Sequence, residues 1–137
     1  MTDAPAAPTY ALTTTIEQPF DQTLTATRAA LAEQGFGVLT EIDLAATLKA
    51  KLDADIAPQV ILGACRPPLA YAAVQAEPSI GLLLPCNVVV RALDDTHTSV
   101  EAMDPAIMVT LTGNDALAEV AADASTRLTA ALHSLRT

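Results

Sequence analysis

Two cysteines, Cys65 and Cys86, are the residues of this chain best suited to chemistry, and both fall within residues 63–87. A cysteine thiolate is a strong nucleophile and a metal ligand, and it is favoured beside a helix N-terminus or a guanidinium group. Cys65 is followed by Arg66, and the proline pair that begins at Pro67 predicts the start of a helix. Cys65 is therefore the stronger candidate for a reactive sulfur, with Cys86 as its partner.

Chain geometry predicts that the two cysteines lie at the same level of a sheet. About ten residues of helix after Arg66 would carry the chain back by roughly 15 Å, and about six residues of strand from Ile80 would return it by roughly 20 Å. If the flanking strands are neighbours, the two sulfurs, Arg66 and the side chain of Asn87 converge on one small region. We therefore predict a ligand site formed by Arg66, Cys86, Asn87 and Asp104, although Asp104 also suits a helix cap.

Other roles for the cysteines stay open at this point. Free cysteine packs as a small hydrophobe in many protein cores, and both cysteines here adjoin apolar strands. A structural zinc site needs four ligands, whereas this region supplies two thiols and no histidine. His97 lies about 35 Å of extended chain beyond Cys86, and His133 suits the end of the last helix, where the dipole stabilises a cation. We predict no metal within a single chain and no cofactor.

The composition disfavours several classes of partner. The 137 residues include 7 basic and 16 acidic side chains, and the resulting net charge of −9 would repel a nucleic-acid backbone or an anionic membrane. With no Trp, 2 Phe and 2 Tyr, the chain also lacks an aromatic platform on which bases could stack. We expect neither nucleic acid nor membrane as a partner.

The composition of the N-terminal segment indicates the cellular compartment of the protein. Residues 1–15 contain no basic side chain and no long apolar run, so they do not resemble a signal peptide or a membrane anchor. We expect a cytoplasmic protein, in which the reducing environment keeps thiols free more often than paired. Residues 1–8 are predicted to form a disordered lead-in, and residues 9–137 a single domain with one core.

Hydrophobic periodicity predicts alternating strands and helices. Strand patterns cover residues 10–16, 36–42, 59–64, 80–92 (interrupted at Pro85) and 98–103. Helical signals cover residues 19–35, 44–52, 67–76, a short turn from Asp104, and residues 116–135, where the apolar residues keep helical spacing. We predict an α+β fold with a mixed, largely antiparallel sheet, helices on one face and a long C-terminal helix.

Three segments carry a resemblance to a known family. They are GFGVLTEIDLAATLKAKL from Gly35, ILGACRPPLAYAAVQAEPSIGLLLPCNVVV from Ile61 and MDPAIM from Met103. Over residues 16–135 the chain resembles the bacterial and archaeal domain-of-unknown-function family 302, whose pattern joins an ACNP-A segment, a G-LLPCN segment and a late DP. The resemblance implies an α+β fold with a layout similar to TATA-box-binding-like domains but without their DNA chemistry, and a homodimer. It implies no established activity, and Arg66 stands where the family usually has Asn.

Three functional hypotheses follow. The first is a homodimeric ligand-binding or structural module with a pocket near Cys65, Cys86 and Asn87, in which a second subunit buries an aliphatic sheet face. The second is a thiol-based redox protein or enzyme that uses the two cysteines, which requires Cα atoms closer than about 7 Å. The third is a site completed across a dimer interface, for example for a metal. We rank them in this order and lean against an enzyme.

Overall fold

The computed structural model of this chain describes residues 8–136, in which it has five strands and five α-helices. The strands are β1 (Ala11–Ile16), β2 (Gly37–Asp43), β3 (Gln59–Cys65), β4 (Cys86–Ala92) and β5 (Thr98–Met103). The helices are α1 (Phe20–Glu33), α2 (Leu44–Leu52), α3 (Pro67–Ala76), α4 (Ala106–Thr112) and α5 (Ala118–Ser134). None of the helices in this described range has the length and apolarity needed to cross a membrane.

The strands form one open sheet in the order β1-β5-β4-β3-β2, and every neighbouring pair is antiparallel. This arrangement confirms the predicted α+β class and the long C-terminal helix, and the sheet is antiparallel throughout the described chain. Of the predicted lead-in, residues 1–7 lie outside the described residues. The carbonyl of Pro8 accepts a hydrogen bond from the backbone N–H of Ala11 at 3.1 Å, just before β1 begins.

One face of the sheet packs against α1 and α5 and forms the main core. Alternate residues of the strands point into this core, so Val60 and Leu62 of β3 and Val88 and Val90 of β4 are almost completely buried. β-branched side chains at alternating positions suit such a half-buried strand. The helices complete the core chiefly with Ala30, Leu31, Leu128, Ala131 and Leu132.

Helix α1 satisfies its own buried hydroxyl groups. Thr27 Oγ1 donates to the carbonyl of Thr23 at 2.7 Å, and Thr23 Oγ1 donates to the carbonyl of Pro19 at 3.0 Å. Beyond the helix, Gly35 adopts a φ of 82°, a left-handed conformation that glycine takes without steric cost. The chain therefore reverses at Gly35 and enters β2.

A second, smaller core joins α3, α4 and α5 beside the end of the sheet where β3 ends and β4 begins. Its buried members are Ala73, Ile80, Met108, Leu117 and Ala121. The side-chain N–H groups of Asn114 donate to the carbonyl of Ala76 and to Glu77 Oε1, both at 2.9 Å. These contacts fix α3 and α4 near the strand ends that carry the cysteines.

Two predictions about the strands are wrong. Residues 80–85 are not the first part of a strand: Pro78–Leu83 form a 3₁₀ turn, and β4 begins at Cys86. Pro85, which follows a cis peptide bond, has no N–H to offer a strand ladder. The strand pattern over residues 36–42 predicts that Val38 and Thr40 share one face of β2. A register shift between these two residues breaks this period-two alternation, so their side chains lie on opposite faces.

Gly63 lies at a point where β2, β3 and Pro85 pack closely together, and a substitution there tests this packing. A methyl group at this position would overlap Thr40 Oγ1 and would lie 2.8 Å from Pro85 Cγ. We expect Gly63→Ala to lower the free energy of unfolding by about 1–3 kcal/mol, because overpacking forces its neighbours to move. Urea denaturation measures this change. Gly81→Ala is the matched control, since no atom lies within 4 Å of the added carbon; equal stability of the two variants would contradict the close packing.

Candidate functional site

The antiparallel register brings the two cysteines together at one end of the sheet. Cys86 begins β4 and lies opposite Ala64, and Cys65 is the next residue of β3. A strand separation of about 4.8 Å and a rise of about 3.3 Å per residue place the two cysteine Cα atoms about 6 Å apart. This Cα separation lies within the range of a disulfide, which also requires the two side chains to point towards each other; both cysteines are free thiols in the structure.

Both cysteines line a small, partly open cavity of about 30 Å³. The ends of β3 and β4 form part of its wall, and the three neighbouring helices form the rest. Its other lining residues are mostly apolar and include Phe36, Leu69, Ala73, Met108, Val120 and Ala124. Sites for organic ligands are typically at least about 300 Å³, so this cavity accepts one atom or ion rather than a metabolite.

The environment of Cys86 keeps its thiol protonated at neutral pH. The residue is 7% exposed, and burial raises the pKa of its thiol above the ordinary value of 9.0. The nearby sulfur of Cys65 raises that pKa further, because two thiolates at this spacing would repel each other. Cys65 is half-buried, and it is therefore the thiol that a reagent in solution can reach more easily.

The start of α3 offers less help to a thiolate than the sequence predicts. Pro67 and Pro68 occupy its first two positions and carry no backbone N–H. The next two N–H groups, from Leu69 and Ala70, both donate to the carbonyl of Arg66 at 3.0 Å. The first turn of α3 thus directs no free N–H at Cys65, and only the helix dipole and the neighbouring guanidinium favour the charged sulfur.

Arg66 lines the same cavity and passes close over Gly35. A methyl group added to Gly35 would lie 3.0 Å from Arg66 Nε. Among residues 8–136, Arg66 Nε is buried and has no hydrogen-bond partner. Because an unpaired buried donor costs free energy, a negative charge or an acceptor in this cavity would stabilise the Arg66 side chain.

In the structure, Asn87 and Asp104 do not line the cavity with the cysteines. Neighbouring residues of a strand point to opposite faces, so Cys86 is buried on the core side while Asn87 is exposed on the other face. Asp104 does not line the cavity: its Oδ1 accepts a hydrogen bond from the backbone N–H of Ala106 at 3.0 Å. Asp104 therefore caps the start of α4, as the alternative interpretation proposed.

The remaining titratable residues that could act as acids, bases or metal ligands lie away from the cavity. His97 Nδ1 lies 3.0 Å from Asp94 Oδ1 in the turn that follows β4, at the end of that strand remote from Cys86. Hydrogen bonds from the backbone N–H of Thr96 and from His97 lower the pKa of Asp94 to about 2. His133 is exposed in the last turn of α5. Within residues 8–136, no cluster of three His, Cys, Asp or Glu side chains is placed to hold a metal ion.

A second concave surface lies on the other face of the sheet, over β1, β5 and β4. It is a groove of about 540 Å³, with Thr13, Asn87, Ser99 and the ion pair Arg91–Glu101 among its lining residues. Arg91 Nη1 and Glu101 Oε1 are 3.3 Å apart. Sequence reasoning did not select this pair, although the period-two alternation of β4 and β5 places both residues on the face opposite the valine core.

Comparison with known proteins identifies the family. Residues 12–135 match the family model described as Domain of unknown function DUF302. The chain belongs to the DUF302 family. The crystal structure of an uncharacterized conserved DUF302 protein from Bacillus stearothermophilus is similar to this chain, with a TM-score of 0.86 and 30% sequence identity over 94% of this chain and 100% of that one. No curated protein matches this chain.

The buried thiol gives this DUF302 domain a testable pH dependence. Because the folded pKa of Cys86 is raised, its contribution to stability is fully present below pH 9.0 and is lost as the pH rises through the folded pKa. Between about pH 8 and about pH 10, the reduced protein is therefore expected to lose more unfolding free energy than Cys86→Ala loses. Urea denaturation at each pH measures the difference, and parallel pH profiles would show that Cys86 ionises equally well in the folded state.

Proposed function

We propose that this DUF302 domain is a homodimeric structural and binding module in which the groove of one chain contacts a second copy. The observation that carries the proposal is the neutral groove on the open sheet face. With a volume of about 540 Å³ it can receive a large side chain. We assign no catalytic activity to this surface.

The charge of the groove favours association of two like chains. The whole chain has a net charge of −9, but the groove lining contains one cation, Arg91, and one anion, Glu101. The groove therefore has no net charge, and two copies do not repel each other there. In a two-fold dimer the same patch meets itself, so Arg91 of each chain can pair with Glu101 of the other.

Tyr10 supplies an anchor for this contact. It lines the groove and is 60% exposed, and Leu93, which also lines it, is 50% exposed. Tyrosine is one of the residues that most often dominate interface energies. If the contact extends beyond the groove over the whole open sheet face, five strands about 4.8 Å apart and about 20 Å long present roughly 500 Å² per chain. This area lies at the lower end for specific complexes, so we expect a dimer that dissociates on dilution.

The free edge of β2 is a poorer interface for a second copy. All seven residues of β2 are exposed, including the aliphatic Leu39 and Ile42. However, a two-fold pairing of β2 with itself would bring Glu41 and Asp43 of two chains close together, and like charges on adjacent strands are destabilising. The register shift on β2 also interrupts the ladder, which is a common protection of edge strands.

The two tyrosines of the chain provide a matched test. Tyr10→Ala is expected to weaken dimerisation at least tenfold, because truncation of a tyrosine that anchors an interface typically costs about 2 kcal/mol or more. Tyr71→Ala is the control, since Tyr71 is 68% exposed on α3 and does not line the groove. Sedimentation velocity over a range of concentrations measures both. A monomer at every concentration, or equal effects of the two substitutions, would refute the proposed interface.

Reversing the charge of Arg91 or of Glu101 distinguishes an effect on dimerisation from an effect on folding within the same experiment. Arg91→Glu gives the groove two negative charges and Glu101→Arg gives it two positive charges, so each variant alone is expected to dimerise less than the wild type. An equal mixture of the two variants is expected to form heterodimers, because each chain then meets the opposite charge. A mixture that stays monomeric would exclude pairing between these two residues.

A second candidate function, thiol-based redox chemistry, is favoured by the neighbouring positions of Cys65 and Cys86. The accessible Cys65 would attack a small-molecule disulfide such as glutathione disulfide, form a mixed disulfide and release one thiol. Cys86, after losing its proton, would then displace the second thiol and form a Cys65–Cys86 bond. Two electrons and two protons would thus pass to the small molecule.

Peptide mapping without reductant tests this chemistry. After treatment with glutathione disulfide, the wild type is expected to contain a peptide linked through Cys65 and Cys86 that dithiothreitol cleaves. Cys86→Ser is expected to accumulate glutathione on Cys65, because the second displacement cannot occur. If both thiols remain free in the native protein, the two cysteines serve only in packing and the redox hypothesis is refuted.

A further inference from the structure

We propose that the cavity between β3, β4 and α4 is a binding site for a soft monovalent metal ion of the Cu(I) type, with the thiolates of Cys65 and Cys86 and the thioether of Met108 as ligands. All three residues line this one cavity. Thiolate and thioether sulfur select Cu(I) over harder ions. The site lies within a single chain and does not depend on the proposed dimer.

The size and chemistry of the cavity fit an ion better than water. Its volume of about 30 Å³ is close to that of one water molecule. A buried water needs two to four good hydrogen-bond partners, whereas the side chains here offer weakly bonding sulfur and a single buried N–H of Arg66. A sulfur-preferring ion would instead use the groups that the cavity provides.

The position of Met108 is set by the fold rather than by its neighbours in sequence. Met108 is 2% exposed on α4 and belongs to the smaller core. Asp104 caps α4 through the backbone N–H of Ala106, and this cap fixes the start of the helix that carries Met108. Asp104 therefore acts on the site as a positioning residue and not as a ligand.

Charge balance also favours a monovalent ion. Two thiolates and one Cu(I) carry a net charge of −1, and the guanidinium of Arg66, which lines the same cavity, would neutralise it. The buried Arg66 Nε, which lacks a partner among the described residues, would gain a negatively charged neighbour. Zinc is a poorer match, because it takes four ligands from thiolate, imidazole and carboxylate groups and the cavity lining supplies only two such groups.

Anaerobic titration of the reduced full-length protein with Cu(I) against a coloured Cu(I) chelator tests the site. We expect one Cu(I) per chain and three sulfur neighbours by X-ray absorption. Met108→Leu, which conserves volume, is expected to weaken binding about tenfold or more and to leave two sulfur neighbours. Cys65→Ser is expected to abolish binding at the chelator concentrations that the wild type withstands.

Ile107→Leu is the matched control, because Ile107 lies next to Met108 on α4 but does not line the cavity. Its affinity and sulfur count are expected to equal those of the wild type, and unfolding curves without metal show that each variant folds. If the wild-type protein fails to compete with the chelator for Cu(I), the proposal is overturned. An unchanged affinity of Met108→Leu, one Cu(I) shared between two chains, or displacement of Cu(I) by an equal amount of zinc would also overturn it.

Discussion

The antiparallel pairing of β3 with β4 is the interaction on which the rest of the structure depends. It places Val60 opposite Val90 and Leu62 opposite Val88, at the centre of the main core. A slip of one residue would turn every one of these side chains to the other face, so burial of the core fixes the register. The same register sets Cys86 opposite Ala64 and beside Cys65. The thiol pair is thus held by the packing of the core.

Successive side chains of β4 point to opposite faces of the sheet, which gives the domain two surfaces with different chemistry. Cys86 points towards a small, mostly apolar cavity that Arg66 also lines, while Asn87, the next residue, faces an open and neutral groove. The sheet separates the two. The proposed self-association through the groove and the proposed metal binding in the cavity therefore involve different residues, and substitutions can test each without direct damage to the other.

Arg66 places a positive charge beside the cavity of this DUF302 domain. Its side chain crosses Gly35, where even a methyl group would lie 3.0 Å from Nε, so the turn after α1 and the start of α3 depend on each other. The family resemblance found in the sequence implies an uncharged Asn at this position. In the proposed Cu(I) site, the charge of Arg66 would balance the charge of the ligands.

The sequence by itself determined the elements whose signals are local. Helix α2 follows the Asp43 cap and α3 begins with two prolines, and both match the predicted bounds because capping and proline geometry act within one turn. Tertiary structure alone decided that residues 78–83 form a turn and that Asn87 faces away from the cysteines. It also brought Met108 to the same cavity. These outcomes depend on strand pairing and on contacts between residues far apart in the chain, which no local pattern encodes.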